Sequence, residues 1–449
     1  MHRKSFIQLS SSTIAGIMLQ PNFVFAQDKP IKNWAENLTY STSKLFAAES
    51  NEKASAFIKQ HDKLKALGTR HCFNTIADSK DQFLSVLSMN NVIAIDENKM
   101  TVTIGGGIKY GDLAPYLHNK GYALHNLASL PHISVAGAAS TATHGSGIHN
   151  GNLSTQVVAI EFIAANGELV RLSKEKDGDI FLGAVVGLGA LGIITQLTLS
   201  IQPTFMAEQQ VFQNLPLTQL REHFEEIEAS GYSVSLFTDW QSESINEVWV
   251  KNKVVTGQPP VLRQDFFGAK AATKNLHPIV DLSAENCTEQ MGVPAPWYER
   301  LPHFKMGFTP SSGKELQAEY FIPKEHAVDA IFAIQKMGKK IGPHLFISEI
   351  RTIDADEFWM SPCYHQPSVA IHFTWKQEIP EVMALLPEIE KELSAFNAKP
   401  HWGKVFTMAP TRLNSLYKKL PEFKKLVNEY DPKGKFRNAF LERNIYGKL

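Results

Sequence analysis

Ser129-Leu130-Pro131-His132-Ile133-Ser134-Val135-Ala136-Gly137-Ala138-Ala139-Ser140-Thr141-Ala142-Thr143-His144-Gly145-Ser146-Gly147 is a long run of small and hydroxyl residues around two histidines. No large side chain shields its backbone N–H groups. With the Ser and Thr hydroxyls they can hold a pyrophosphate with no lysine in the run. Ile133, Val135 and the Ala-rich middle argue that the run is buried and not a surface loop. Upstream, Leu67-Gly68-Thr69-Arg70-His71-Cys72-Phe73-Asn74 places a histidine just after a glycine turn. These two stretches are the expected seat of a cofactor.

Around them, residues 32–203 read as short strands mixed with short helices. Strands are predicted at Ala66–Thr69, Val92–Asp96, Thr101–Ile104, Val157–Ala164 and Ile193–Ile201, from β-branched runs bounded by Gly, Asn or Asp. A helix is predicted over Asp112–Lys120, with Leu113, Tyr116 and Leu117 on one side. Pro203 marks a change of style. Beyond it, helices (Leu217–Ser230, Lys324–Gly338, Ile379–Phe396) alternate with strands (Val234–Phe237, Leu345–Ile353, Val369–Trp375). That pattern predicts an α+β domain with an antiparallel sheet. A short helix is expected at Glu422–Tyr430, and residues 254–283 read as a long irregular connection. The expected division is 31–203, 204–416 and a C-terminal segment, 417–449, that returns to the first domain.

Gly187-Leu188-Gly189-Ala190-Leu191-Gly192 fits G-x-G-x-x-G, but a nicotinamide site needs a strand before it and a helix after it. Here Ile193–Leu199 follows as strand, so the glycines are read as close-packing positions beside another cofactor. His125, His132, His144 and His149 lie among no acids or cysteines, so no metal site is expected.

The chain has 449 residues, with Lys+Arg 45 and Asp+Glu 45. This length predicts two or three domains. The balanced charge speaks against a nucleic-acid partner, because nothing is left over to neutralise phosphates. Three cysteines, Cys72, Cys287 and Cys363, are too few and scattered for a disulfide framework. Residues 1–26 read as an export signal. His2, Arg3 and Lys4 precede an apolar stretch, and Val24-Phe25-Ala26 suits a peptidase. Arg3-Lys4-Ser5-Phe6-Ile7 resembles a twin-arginine signal, a route that exports folded proteins. That stretch is too short to span a bilayer, and no later segment qualifies. The expected location is therefore periplasmic or extracellular.

The two cofactor stretches resemble the flavin-binding halves of the vanillyl-alcohol oxidase superfamily, the fold of p-cresol methylhydroxylase. The closer likeness is to its sugar-alcohol branch, the alditol and xylitol oxidases, with aldonolactone oxidases as relatives. It is carried by Asn33-Trp34-Ala35-Glu36-Asn37, Ser233-Val234-Ser235-Leu236-Phe237-Thr238-Asp239-Trp240, Asn286-Cys287-Thr288-Glu289-Gln290, Leu301-Pro302-His303-Phe304, Glu349-Ile350-Arg351-Thr352, His372-Phe373-Thr374-Trp375 and His401-Trp402-Gly403-Lys404. The resemblance implies a two-domain PCMH-type FAD-binding fold with a substrate domain. It implies FAD attached through its 8α-methyl carbon to His71. Residues Leu67, Gly68, Thr69, Arg70, His71, Cys72, Ser129, Ser134, Gly137, Thr141, Ala142, Thr143 and His144 would line the flavin and its phosphates, with Ile194 toward the adenine. The family usually carries Gly before that histidine and Ser after it, where this chain has Arg70 and Cys72.

On the substrate side, Glu349 and Arg351 are two apart in a strand and share a face. His372 and Thr374 repeat the arrangement, and His401 and Lys404 follow the last helix of the domain. A carboxylate beside a guanidinium matches adjacent hydroxyls, the acid accepting and the fork donating. The resemblance implies hydride transfer from a primary alcohol carbon of a polyol to flavin N5, with O2 as acceptor and hydrogen peroxide as product. Ser129, Glu349, Arg351, Thr374 and His401 would contact substrate, and Lys404 would stabilise negative charge on the flavin. The base is either His372 or His401. A lactone oxidase, a dehydrogenase and a non-catalytic sugar-binding protein are the open alternatives.

Overall fold

The computed structural model describes residues 29–255, 257, 262–306 and 314–448. The export signal expected at 1–26 lies outside the described residues. The chain begins with a small parallel sheet in the order Leu45–Ala47, Phe83–Ser85, Lys65–Ala66. Helix Asn51–Gln60 packs beside it, its first turn capped by Ser50 accepting from the Lys53 N–H, a contact worth about 1 kcal/mol. A five-stranded antiparallel sheet follows, ordered Val92–Asp96, Thr101–Gly105, Ile193–Ser200, Val157–Ile163, Leu169–Ser173.

Beyond Pro203 the chain enters a ten-stranded sheet that starts with Met206–Pro216. Its central strands run Ser244–Lys253, Ser233–Thr238, Leu345–Ile353, Ser368–Lys376 and Glu315–Pro323, all paired antiparallel. Side chains alternate across a strand, and the sequence exploits this. Leu316, Ala318, Tyr320, Ile350, Val369, Ile371, Phe373 and Trp375 form one core with helices Leu217–Glu228, Ala327–Gln335 and Ile379–Leu393. The residues between them, including Gln317, Glu319, Glu349, Arg351, His372 and Thr374, line a cavity. Helix Leu420–Tyr430 buries Leu420, Phe423, Leu426 and Val427 in the core of the first half, joined there by Phe440 and Leu441 of Ala439–Asn444.

Several expectations shift. The predicted strand at Ala66–Thr69 stops at Ala66, where the chain turns toward Gly68. Helix Tyr110–Asn119 buries Leu113 and Leu117 but leaves Tyr116 exposed. The helix predicted at Lys324–Gly338 is broken into a 3-10 turn, Lys324–His326, and Ala327–Gln335. The connection 254–283 carries a short hairpin, Asp265–Phe266 with Ala269–Ala271. Gly187–Gly192 sits between helix Lys174–Val185 and strand Ile193–Ser200, the reverse of a nicotinamide motif. Its last glycine has a packing reason: a Cβ on Gly192 would lie 2.4 Å from the Ile163 carbonyl oxygen.

Candidate active site

One cavity brings the two cofactor stretches and the substrate strands together. Residues 67–72 form part of its wall, Ser129, Ser134, Gly137, Thr141, Thr143 and His144 another, and Ile194 lies on the lining too. Its empty space is about 2010 Å³ with the open mouth included.

The first stretch is clamped from both sides. Trp34 N–H donates to the Arg70 carbonyl at 2.8 Å, and Asn33 Nδ2 to the Cys72 carbonyl at 3.0 Å. Opposite, Phe73 N–H donates to the Gly403 carbonyl at 2.7 Å, and Asn74 Nδ2 to the carbonyls of Trp402 and Lys404. Arg70 has φ +63, a left-handed conformation that suits glycine, the residue the resemblance expects there. Its guanidinium turns to the Lys32 carbonyl at 3.1 Å on the exposed side.

The geometry leaves His71 stacked on Trp34, with ring centroids 5.4 Å apart. Both of its ring nitrogens are buried and make no well-formed hydrogen bond, although the Thr69 backbone acts on the ring. Burial, with His132 and Lys404 nearby, pushes its pKa down to about 3. A neutral imidazole with an unengaged lone pair is a nucleophile free to be alkylated. The residues present therefore fit a histidyl-linked flavin.

The second stretch meets the first at Ser134. Its N–H donates to Thr69 Oγ1 at 3.2 Å. A Cβ on Gly68 or Gly137 would come within 3.2 or 2.8 Å of Ser134 Oγ, so both glycines keep that groove open. Ala142 departs from expectation. It does not line the cavity, because its backbone at φ +53 turns the methyl into the hydrophobic core. Lys65, absent from the sequence reading, does line the cavity. It donates to the carbonyls of Gly189 at 2.9 Å and Phe436 at 3.1 Å, which ties the glycine segment to the cofactor wall.

The substrate wall is a grid set by strand register. Glu349 pairs with His372, and His372 with Glu319, across three neighbouring strands. One step along, Ile347, Thr374 and Gln317 are aligned in the same way. His401 N–H donates to the Glu319 carbonyl and Val405 N–H to the Gln317 carbonyl, which places Lys404 at the end of the grid. Lys404 Nζ donates to Gln317 Oε1 and lies 5.0 Å from the Phe73 ring centroid, beside the cofactor stretch.

Charges interlock on this wall. Arg351 Nη2 donates to Glu319 Oε1 at 2.8 Å, its Nη1 to Ser129 Oγ at 3.3 Å, and its Nε lies 3.5 Å from Glu349 Oε1. His144 reaches from the small-residue run to the same Glu319 oxygen at 3.0 Å, and its Nδ1 faces the Gly145 carbonyl. Burial alone would raise the Glu319 pKa, but His144, His372 and Arg351 hold it well below the usual carboxylate range. Glu349 is likewise pushed up by burial and pulled further down by Arg351 and His303. Burial lowers the Lys404 pKa.

The two candidate bases differ. His401 Nδ1 accepts the Gly403 N–H at 3.0 Å, so in the neutral ring the proton sits on Nε2. His372 has Nε2 at 3.1 Å from Thr374 Oγ1 and Nδ1 at 3.6 Å from Glu319 Oε2. A proton on Nδ1 directed at the carboxylate leaves Nε2 with a lone pair. Burial lowers the His372 pKa, which favours the neutral ring.

Sequence reasoning missed Glu319, Gln317 and His303, all on the cavity wall. The signal for the first two was present: Glu315, Gln317 and Glu319 alternate with Leu316, Ala318 and Tyr320.

Comparison with known proteins agrees with this arrangement. A family model described as FAD binding domain matches residues 45–173, and one described as D-arabinono-1,4-lactone oxidase matches residues 309–444. An alditol oxidase from Streptomyces sp. is 43% identical over 420 residues, covering 93% of this chain and 99% of that one. An L-gulonolactone oxidase from Bos taurus is 25% identical over 441 residues, covering 92% and 98%. The crystal structure of cholesterol oxidase from B. sterolicum superposes with a TM-score of 0.76 at 14% identity, covering 96% of this chain and 100% of that one, and shares the fold. With two-fifths of its residues identical over nearly its whole length, the chain belongs to the alditol oxidase family of FAD-dependent oxidoreductases, on a PCMH-type flavoprotein fold.

Proposed function

We propose that the protein oxidises the primary alcohol of an alditol to the aldose, with FAD linked through His71 and O2 as electron acceptor, releasing hydrogen peroxide. In this reading residues 31–203 hold the cofactor, 204–416 the substrate, and 417–449 return to brace the cofactor half. Residues 1–26 direct export. FAD, when bound, supplies the two-electron acceptor for the hydride. One observation carries the reading: the polar grid Glu349–His372–Glu319 faces the same cavity as His71 and the small-residue run.

The chain's own groups then divide the work. Glu349 accepts and Arg351 donates to neighbouring hydroxyls, with Ser129 and Thr374 at the edges. His372 takes the hydroxyl proton on Nε2, while Glu319 faces its Nδ1 and favours the required tautomer. His401, whose Nδ1 is already engaged, donates from Nε2 and orients substrate. Lys404, spanning from Gln317 to the Phe73 side, places positive charge beside the flavin and the developing alkoxide.

Turnover with peroxide detection tests the proposal. Xylitol or sorbitol should outpace L-gulono- and D-arabinono-1,4-lactone. Preference for a lactone would make this a lactone oxidase, and dye reduction without peroxide would make it a dehydrogenase.

A further inference from the structure

Behind Glu349 lies a pair of groups that the reaction scheme above does not use. Lys251, on strand Ser244–Lys253, is 1% exposed. Its Nζ donates to the Leu301 carbonyl at 2.5 Å, the Pro302 carbonyl at 3.2 Å and His303 Nδ1 at 3.1 Å. An ammonium has three protons and no lone pair. The His303 nitrogen that faces it must therefore be the unprotonated one. On the other side of the ring, His303 Nε2 lies 2.7 Å from Glu349 Oε1. The ring is fixed edge-on against Phe237 and Trp249, with centroids 5.4 and 5.3 Å away.

We propose that Lys251 and His303 form a positioning relay: the buried ammonium keeps His303 a neutral ring whose Nε2–H engages Glu349 Oε1, so that the second carboxylate oxygen is committed to a substrate hydroxyl. The relay deepens the polyol reading and rests on it. Lys251 is a positioning residue, since it reaches the site only through His303. It also pins the Leu301–Phe304 segment through two carbonyls. The charged and titratable groups around the pair are Glu349, Arg351, Arg300 and Cys287. Burial, then Lys251, pushes the His303 pKa down to about 4, against the pull of Glu349. Burial brings Lys251 down to about 7, so the ammonium is complete on the acid side, where a second proton would otherwise reach His303. Without the ammonium, the nearby Glu349 carboxylate would draw a second proton onto His303. An imidazolium on one carboxylate oxygen makes Glu349 a poorer acceptor.

The test uses the holoenzyme. In nitrogen-15 histidine spectra of the wild type, the His303 ring should stay the neutral Nε2–H tautomer from pH 8 to pH 5, its signal identified by loss in His303→Gln. A charged ring or the Nδ1–H tautomer at pH 5.5, where Lys251 is an ammonium, would overturn the relay without any variant having to fold. In Lys251→Met, kcat/KM for xylitol relative to wild type should fall at least about fivefold between pH 8.5 and pH 5.5, as a proton enters where none did before. A purely structural lysine would lower both ends equally and overturn the proposal. His303→Gln has no ring to take up a second proton, so whatever its level of activity, its kcat/KM relative to wild type should not change between pH 8.5 and pH 5.5. Adding Lys251→Met to it should produce no new pH-dependent loss; the same loss in the double variant would overturn the relay. If wild type turns over no polyol, the polyol reading fails, while the ring's protonation state still decides the relay.

Discussion

Glu319→Gln probes the charge array most sharply. The carboxylate is 2% exposed and serves three partners, His144, Arg351 and His372. Glutamine keeps the shape and removes the charge. Arg351 then loses its buried counterion, and removing one partner of a buried pair costs about 3–5 kcal/mol. The amide also presents an N–H to His372 Nδ1. That favours the tautomer protonated on Nε2 and removes the lone pair assigned to the substrate proton. If about 3–4 kcal/mol of this falls on the transition state, the reduction rate drops about 10²- to 10³-fold. The assay is anaerobic stopped flow, following flavin bleaching by xylitol from pH 6 to pH 9, with the visible spectrum confirming that cofactor is bound. A rate within about threefold of wild type across that range would refute the assignment of Glu319 as the anchor of the site.

Two other expectations concern the cofactor and stability. Acid precipitation should leave the wild-type flavin in the pellet and release it to the supernatant from His71→Ala; yellow supernatant from the wild type would contradict the histidyl link. Glu228 is fully buried against Thr352, and burial raises its pKa to about 8. Its folded pKa lies above its unfolded value, so its stability contribution is present below about pH 4.5 and is lost as pH rises toward 8. Glu228→Gln should therefore raise Tm at pH 8, by an effect on the order of a few kcal/mol, and change it little at pH 4.5. Equal Tm shifts at both values would count against the buried neutral acid.

The sequence made some of this site legible because strand alternation is local. Glu349 and Arg351, like His372 and Thr374, are spaced by two between apolar neighbours, so their shared face could be read directly. Glu319 follows the same rule. What the local pattern lacked was the register that sets Glu319 beside His372, a fact of pairing between strands about fifty residues apart. Lys251 and His303 meet across a similar gap, and no spacing rule announces such a pair. Within the small-residue run, composition pointed to the cofactor wall but not to orientation. The left-handed turn at Ala142 buries one methyl that a run of small residues made look available. The glycine motif at 187–192 was separable from a nicotinamide site because helix and strand came in the wrong order around it.

Anaerobic addition of xylitol to the purified yellow protein tests the central claim most directly. The account predicts that the visible flavin band fades in proportion to polyol added and returns on admitting air. A band that stays unchanged with xylitol, sorbitol and every other alditol, while the cofactor remains bound, would contradict it.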